Sequence, residues 1–182
     1  MTTDSVPINE LPIHIRSFRA SDLPACRTLY VEGLLGGKLA ENDTGLDIDD
    51  IEFAYMKPEG NHFWVAETIP KKSDEPPRIV GMIGVQHHDE GAAEIHRLRV
   101  AQDVRRRGVG SRLIEQALHW CHDRNYLKVT LDTFMEREPA IKLFEKFQFK
   151  HSRTRDVHGK ELLYFYLDIY GREDQRQHGH GG

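Results

Sequence analysis

The chain has no apolar run long enough to span a bilayer, and its first residues lack the charged-then-apolar pattern of a secretion signal. A soluble, cytoplasmic protein without a membrane partner is the expectation. Cysteine is scarce, with only Cys26 and Cys121 in 182 residues. Each falls on the apolar face of an expected helix, which favours two reduced core thiols over a disulfide or a catalytic pair. No Cys/His grouping has zinc-ligand spacing, and His87 and His88 are strand neighbours facing opposite ways, so no metal is expected. Net positive charge is missing too. At −4 overall, the chain is a poor candidate for nucleic acid held by general basicity. A Gly-x-Ser-x-Gly nucleophile elbow is absent.

What is present concentrates in residues 94–121, E-I-H-R-L-R-V-A-Q-D-V-R-R-R-G-V-G-S-R-L-I-E-Q-A-L-H-W-C. The stretch opens as a strand, passes Arg105, Arg106 and Arg107, and turns through Gly108-Val109-Gly110 and Ser111. It then becomes a helix whose Leu113, Ile114, Ala117, Leu118 and Cys121 recur at helical spacing. The first turn of a helix carries backbone N–H groups that have no acceptor within the helix, and the dipole leaves that end partly positive. Glycines remove the side chains that would keep a phosphate away, so this loop is suited to cradling an anion. A dinucleotide fingerprint is excluded because Leu113 stands where its third glycine belongs, and no Gly-Lys-Ser/Thr closes a P-loop. The remaining pattern, Arg105-x-x-Gly108-x-Gly110, resembles the pyrophosphate loop of the GCN5-related N-acetyltransferase (GNAT) superfamily.

Taken in order, residues 1–12 read as a loose lead and Ile13–Phe18 as a first strand. Ser21 is placed to cap a helix with Leu23, Cys26, Tyr30 and Leu34 on one face, ended by Gly36-Gly37. The run I-R-S-F-R-A-S-D from Ile15 to Asp22 resembles the opening of a GNAT domain. Residues 41–52 hold Glu41, Asp43, Asp47, Asp49, Asp50 and Glu52 without a basic residue. Solvated surface is one reading of that segment and attraction of a cationic amine the other. Residues 47–56 suggest a short helix with Ile48, Ile51, Phe53 and Tyr55 free to pack. Strands follow at 62–67, 78–85, 93–100 and 126–133, from Phe149, and at 162–169. A loop is expected at 68–77. Pro139 suits the start of a last helix with Ala140, Leu143, Phe144 and Phe147 in a stripe. Residues 171–182 read as a disordered tail. The result is one α/β domain over 13–170, a mixed central sheet of about seven strands flanked by about four helices, matching the GNAT order.

The resemblance implies acetyl transfer from acetyl-CoA, as co-substrate, to a primary amine of a small molecule or peptide. Arg105–Ser111 would hold the pyrophosphate, and the backbone of Leu98, Arg99 and Val100 would pair with the pantetheine arm. The amide of Val100 would then face the thioester oxygen, a donor typically worth ~3 kcal/mol of barrier. Strand alternation puts Glu94, His96, Leu98 and Val100 on one face unless a bulge intervenes. Glu94 stands where the histone-acetylating branch has its glutamate base; His96 and water are the alternatives. One departure is clear. The family block L-Y-E-K-x-G-F reads Leu143-Phe144-Glu145-Lys146-Phe147-Gln148-Phe149 here. Phe144 can pack against the cofactor but cannot give a proton, which motivates a second reading as an acyl-CoA-binding sensor or protein-interaction module with weak turnover. Tyr126, Tyr164 and Tyr166 are other tyrosines that could serve as acid. Dimerisation is common in the family, and nothing in the residues decides it.

Overall fold

The computed structural model describes residues 10–37 and 43–170. The lead is therefore seen only from Glu10, while the tail over 171–182 and Glu41 lie outside the described residues. The elements are β1 (Ile13–Ser17), α1 (Leu23–Glu32), α2 (Leu46–Asp49), β2 (His62–Thr68), β3 (Ile79–Asp89), β4 (Ala92–Val100), α3 (Val109–Asp123), β5 (Lys128–Phe134), α4 (Glu138–Lys146), β6 (Lys150–Val157) and β7 (Lys160–Asp168). They form a mixed α/β fold with seven strands in the order β1-β2-β3-β4-β5-β7-β6. β4 and β5 are parallel, with Glu94 opposite Thr130, whereas β5–β7 and β6–β7 are antiparallel. By packing, the described residues group into two compact units, those within 1–85 and 96–117 and those within 86–95 and 118–182.

In the first unit, β3 is apolar throughout its middle because both faces are covered: Val80, Met82, Ile83 and Val85 are fully buried. Gly81 has a packing reason. A Cβ there would lie 2.9 Å from Leu113 Cδ1 and 3.0 Å from Val109 Cγ1, so its absence lets the first turns of α3 seat directly on the strand. Entry to α1 is organised by Asp22 and not by the expected Ser21, which is exposed. Asp22 accepts the Arg19 N–H at 2.8 Å and both arms of the Arg16 guanidinium at 2.7 and 2.8 Å. Burial opposes its ionisation, but Arg16 outweighs burial and holds the carboxyl below the usual range. The arginine and aspartate of the I-R…D run are thus an ion pair. α1 ends at Glu32, with Gly36 and Gly37 beyond it in a 3₁₀ turn at positive φ.

The segment expected as one helix over 47–56 is instead α2 followed by a π-helical turn at Glu52–Met56. Ile48, Ile51 and Tyr55 are buried as expected, but Phe53 is 68% exposed. In the second unit, Val129 and Leu131 of β5 and Leu162, Leu163, Phe165 and Leu167 of β7 are buried. Cys26 and Cys121 are free, buried thiols, each pushed up to about 12, chiefly by burial. That leaves them as core hydrophobes.

Candidate active site

The loop between β4 and α3 is pinned before it turns. Ala101 donates its N–H to the Val80 carbonyl at 2.8 Å, and Val104, in a 3₁₀ turn at Gln102–Val104, is buried. The backbone then reverses through left-handed Arg106 (φ 62°) and Gly108 (φ 82°), and α3 starts at Val109, itself buried. The Arg112 N–H donates to the Gly108 carbonyl at 3.1 Å. The amides of Val109 and Gly110 precede that bond in the first turn, where helix geometry supplies no acceptor. Arg105, Arg106 and Arg107 are exposed. A helix start with two small residues, a left-handed glycine and three exposed guanidiniums fits a diphosphate. The end of the lead lies on this loop, a placement the sequence did not suggest. Leu11 donates its N–H to the Arg107 carbonyl at 3.0 Å, and Glu10 Cγ lies 3.4 Å from where a Cβ on Gly108 would stand.

β4 departs from extended geometry at Arg97, the kind of irregularity a bulge introduces. Arg97 has φ 56°, a left-handed conformation inside a strand that costs a non-glycine residue about 1–2 kcal/mol. Alternation is broken there, so Glu94, His96, Leu98 and Val100 do not form one uninterrupted row. Arg97 is held by two carboxylates. Its Nε and Nη2 donate to Asp47 at 2.9 and 2.6 Å, and its Nη1 and Nη2 donate to Asp43 at 2.6 and 2.7 Å. Tyr55 donates its hydroxyl to Asp47 at 2.6 Å, and the Tyr30 ring lies 5.0 Å from the guanidinium carbon. Burial works against ionised Asp43, yet the hydrogen bonds and charge of Arg97 bring it down to about 2; Asp47 is lowered for the same reasons. Within residues 41–52, Asp43 and Asp47 are therefore engaged by an arginine from β4. Asp50 accepts the Phe53 N–H at 3.0 Å, and exposed Asp49 stands 4.0 Å from Arg27.

Glu94 is half-buried, with 21% of its side chain exposed. Burial is the main cause raising its pKa, the negative charge of Asp132 adds to it, and His88 opposes it. His88 Nδ1 lies 3.2 Å from Glu94 Oε2. Asp132 was not singled out from sequence, and His88 was weighed there only as a metal ligand. A carboxylate whose surroundings raise its pKa holds a proton more readily than a free glutamate, which is the direction a general base needs. His96 is half-buried and belongs to the first unit, whereas Glu94 belongs to the second.

Phe144 is 4% exposed, its ring 5.9 Å from Phe149 and 6.3 Å from Phe165, so most of its surface serves the core. Gln148, at the family's glycine position, has φ 67° and donates its N–H to Glu145 as α4 ends. The three tyrosines named from sequence have these surroundings. The Tyr126 hydroxyl is 3.2 Å from His87 Nδ1, Arg153 lies over Tyr164 at 4.1 Å, and Lys128 over Tyr166 at 5.4 Å. Among the described residues no cluster of three or more His, Cys, Asp or Glu could hold a metal ion, and no helix is long and apolar enough to cross a membrane.

The family model described as "Acetyltransferase (GNAT) family" matches residues 26–149. The Xenopus laevis protein named "Probable N-acetyltransferase camello" is 34% identical over 108 residues, 58% of this chain and 46% of that one. N-acetylaspartate synthetase of Rattus norvegicus is 32% identical over 111 residues, 60% of this chain and 35% of that one. The chain thus spans half or less of the length of these curated relatives. The solved structure of yncA from Salmonella typhimurium with its cofactor acetyl-CoA superposes with a TM-score of 0.70 at 15% identity, covering 87% of this chain and 95% of that one, which speaks to the fold. The family match spans the cradle loop, both β4 carboxylate neighbourhoods and the block around Phe144, and the chain belongs to the acetyltransferase (GNAT) family, whose domain is an acetyl-CoA-dependent acyltransferase.

Proposed function

We propose that this chain moves an acetyl group from acetyl-CoA to a primary amine by direct attack while both are bound. Acetyl-CoA supplies the activated acetyl thioester. The amides at the start of α3 and the exposed Arg105–Arg107 hold its diphosphate, and the β4 backbone at Leu98, Arg99 and Val100 holds its pantetheine arm. The Val100 N–H is the donor for the carbonyl oxygen as negative charge builds there. Glu94 removes the proton from the amine and passes it toward solvent; His96 lines the same strand. Phe144 supplies no proton, so coenzyme A departs as a thiolate that takes its proton from solvent, which slows but does not prevent acyl transfer. The single observation that carries this reading is the cradle, with left-handed Arg106 and Gly108 opening directly into the first turn of α3.

The acceptor proposed is the amino group of an amino acid or of a peptide. Two observations turn this reading away from cationic amines: Arg97 already engages both Asp43 and Asp47, and the name of one relative records synthesis of N-acetylaspartate. A second reading, an acyl-CoA binder with little turnover, is favoured by Phe144. Calorimetry with acetyl-CoA and thiol release across aspartate, other amino acids, lysine and spermidine separate the two. Micromolar binding with release on an amino acid supports transfer. Binding without release on any amine supports the sensor. Gly108→Val should weaken binding at least tenfold, because a β-branched residue is poorly accommodated at that φ.

A further inference from the structure

Arg97 has no place in the chemistry proposed above, yet its guanidinium is gripped by two carboxylates at once. It sits at the bulge of β4, immediately before Leu98, Arg99 and Val100. Four hydrogen bonds of 2.6–2.9 Å tie its guanidinium to Asp43 and Asp47, on and just before α2. Both aspartates are themselves held. Gly45 donates its N–H to Asp43 at 3.0 Å, and Tyr55 donates its hydroxyl to Asp47 at 2.6 Å. The side chains of Arg97, Asp43 and Asp47 are only 16%, 21% and 21% exposed. A planar guanidinium gripped by two carboxylates at once has little rotational freedom, and that restriction passes directly to its own backbone. A residue with φ 56° inside a strand persists only where its surroundings over-determine it, and here they do.

We propose that Asp43, Asp47 and Arg97 form a positioning clamp that fixes the β4 bulge and thereby the direction of the Leu98–Val100 backbone groups that receive the pantetheine arm. The proposal rests on the reading of β4 as the pantetheine strand. It assigns the acidic segment a role in the affinity for the acyl donor and none in choosing the amine. Arg97, Asp43 and Asp47 are positioning residues, acting through the backbone that follows.

The test compares two probes on the full chain. Coenzyme A carries both diphosphate and pantetheine, whereas adenosine diphosphate carries the diphosphate alone. In the paired variant D43N/D47N, coenzyme A binding should weaken about tenfold while adenosine diphosphate binding stays within twofold. Hydrogen exchange should accelerate in the peptide containing residues 97–100 and not in the one containing 109–113. Tyr55→Phe, which removes only the hydroxyl bond to Asp47, gives a milder version with a two- to threefold loss confined to coenzyme A. It covers the case in which the paired variant does not fold. Arg97→Lys should fail to restore affinity, because an ammonium cannot fork between two carboxylates. Equal losses for both probes, or unchanged coenzyme A binding in folded Tyr55→Phe and D43N/D47N, would overturn the clamp. If the unaltered protein binds neither probe, the cradle reading fails instead, and the two failures are distinct.

Discussion

Glu94 and Arg97 lie close together along β4, and the carboxylates around them respond to the fold in opposite ways. Near Arg97, two aspartates share one guanidinium, burial is outweighed, and Asp43 ionises at about 2. At Glu94 burial is the leading influence, another carboxylate, Asp132, adds to it, His88 opposes it only in part, and the pKa rises. The difference is one of partner and not of depth, since Glu94, Asp43 and Asp47 all have 21% of their side chains exposed. A carboxylate kept permanently ionised can hold a shape. One kept reluctant to ionise can take a proton and give it up again. The first group is therefore assigned to architecture and the second to chemistry.

The largest effect expected from breaking this contrast is at Glu94. Glu94→Gln should lower kcat about 100-fold or more if the side chain is the base. Its pKa is higher in the folded chain than in the unfolded one. Its favourable contribution to stability is thus complete below the ordinary glutamate range and lost as pH rises through the folded value. Above the folded pKa the ionised side chain no longer helps the fold, so at such pH Glu94→Gln should leave the thermal midpoint unchanged or slightly raised. The acid limb of the kcat profile should lie above the usual glutamate range and move to lower pH in Asp132→Asn, which removes a raising charge. An acid limb unmoved by that substitution would detach Glu94 from the rate.

At the clamp the same kind of substitution should act on stability. Asp43 falls from 3.8 to about 2 on folding, equivalent to roughly 2 kcal/mol contributed by its ionised form. The sign is opposite to that at Glu94. The contribution is full above the unfolded value and disappears as pH falls through the folded one. Asp43→Asn should therefore cost about 2 kcal/mol in urea unfolding at pH 7 and flatten the fall in stability between about pH 4 and pH 2. If the variant loses stability in parallel with the native chain across that range, Asp43 is not the group responsible.

How much of this could be read beforehand depends on the span of each interaction. The turn into α3 was legible because Arg105, Gly108, Gly110 and the helical stripe that follows form a local pattern. The I-R…D run was legible as a resemblance, and the ion pair of Arg16 with Asp22, six residues apart, supplies its physical cause. The clamp was not. Asp43 and Asp47 reach Arg97 across 54 and 50 residues, a separation that leaves no periodicity. The same segment, seen alone, looked like free negative charge. Phe53 looked like a core residue until the π-helical turn placed it in solvent. His88 and Asp132 joined Glu94 only through the packing of their strands.

Strain offers a third, smaller way to sharpen the contrast. Gln148, like Arg97, is left-handed without being glycine, but it sits at the end of α4 and outside the clamp. Gln148→Gly should stabilise the chain by up to about 1 kcal/mol, since relief of the left-handed side-chain clash exceeds the added freedom of the unfolded glycine. Arg97→Gly relieves the same clash yet should destabilise, because it strands Asp43 and Asp47 as paired negative charges. Equal responses at the two sites would mean that backbone strain, and not the carboxylate pair, dominates at β4.

The smallest effect isolates burial from geometry. Arg78 grips Asp103 as squarely as Arg97 grips Asp43, with donors at 2.8 and 2.5 Å from its two oxygens. The carboxyl of Asp103 is likewise held below its ordinary range, chiefly by hydrogen bonding to Arg78. What differs is solvent, since 53% of the Arg78 side chain and 61% of that of Asp103 are exposed. Water and salt screen an exposed pair, so Asp103→Asn should cost no more than about 0.5 kcal/mol, vanishing at high ionic strength. The cost of Asp43→Asn should persist in the same salt. If the two substitutions proved equally costly, fork geometry alone would account for the clamp, and the weight placed on burial around Arg97 would be misplaced.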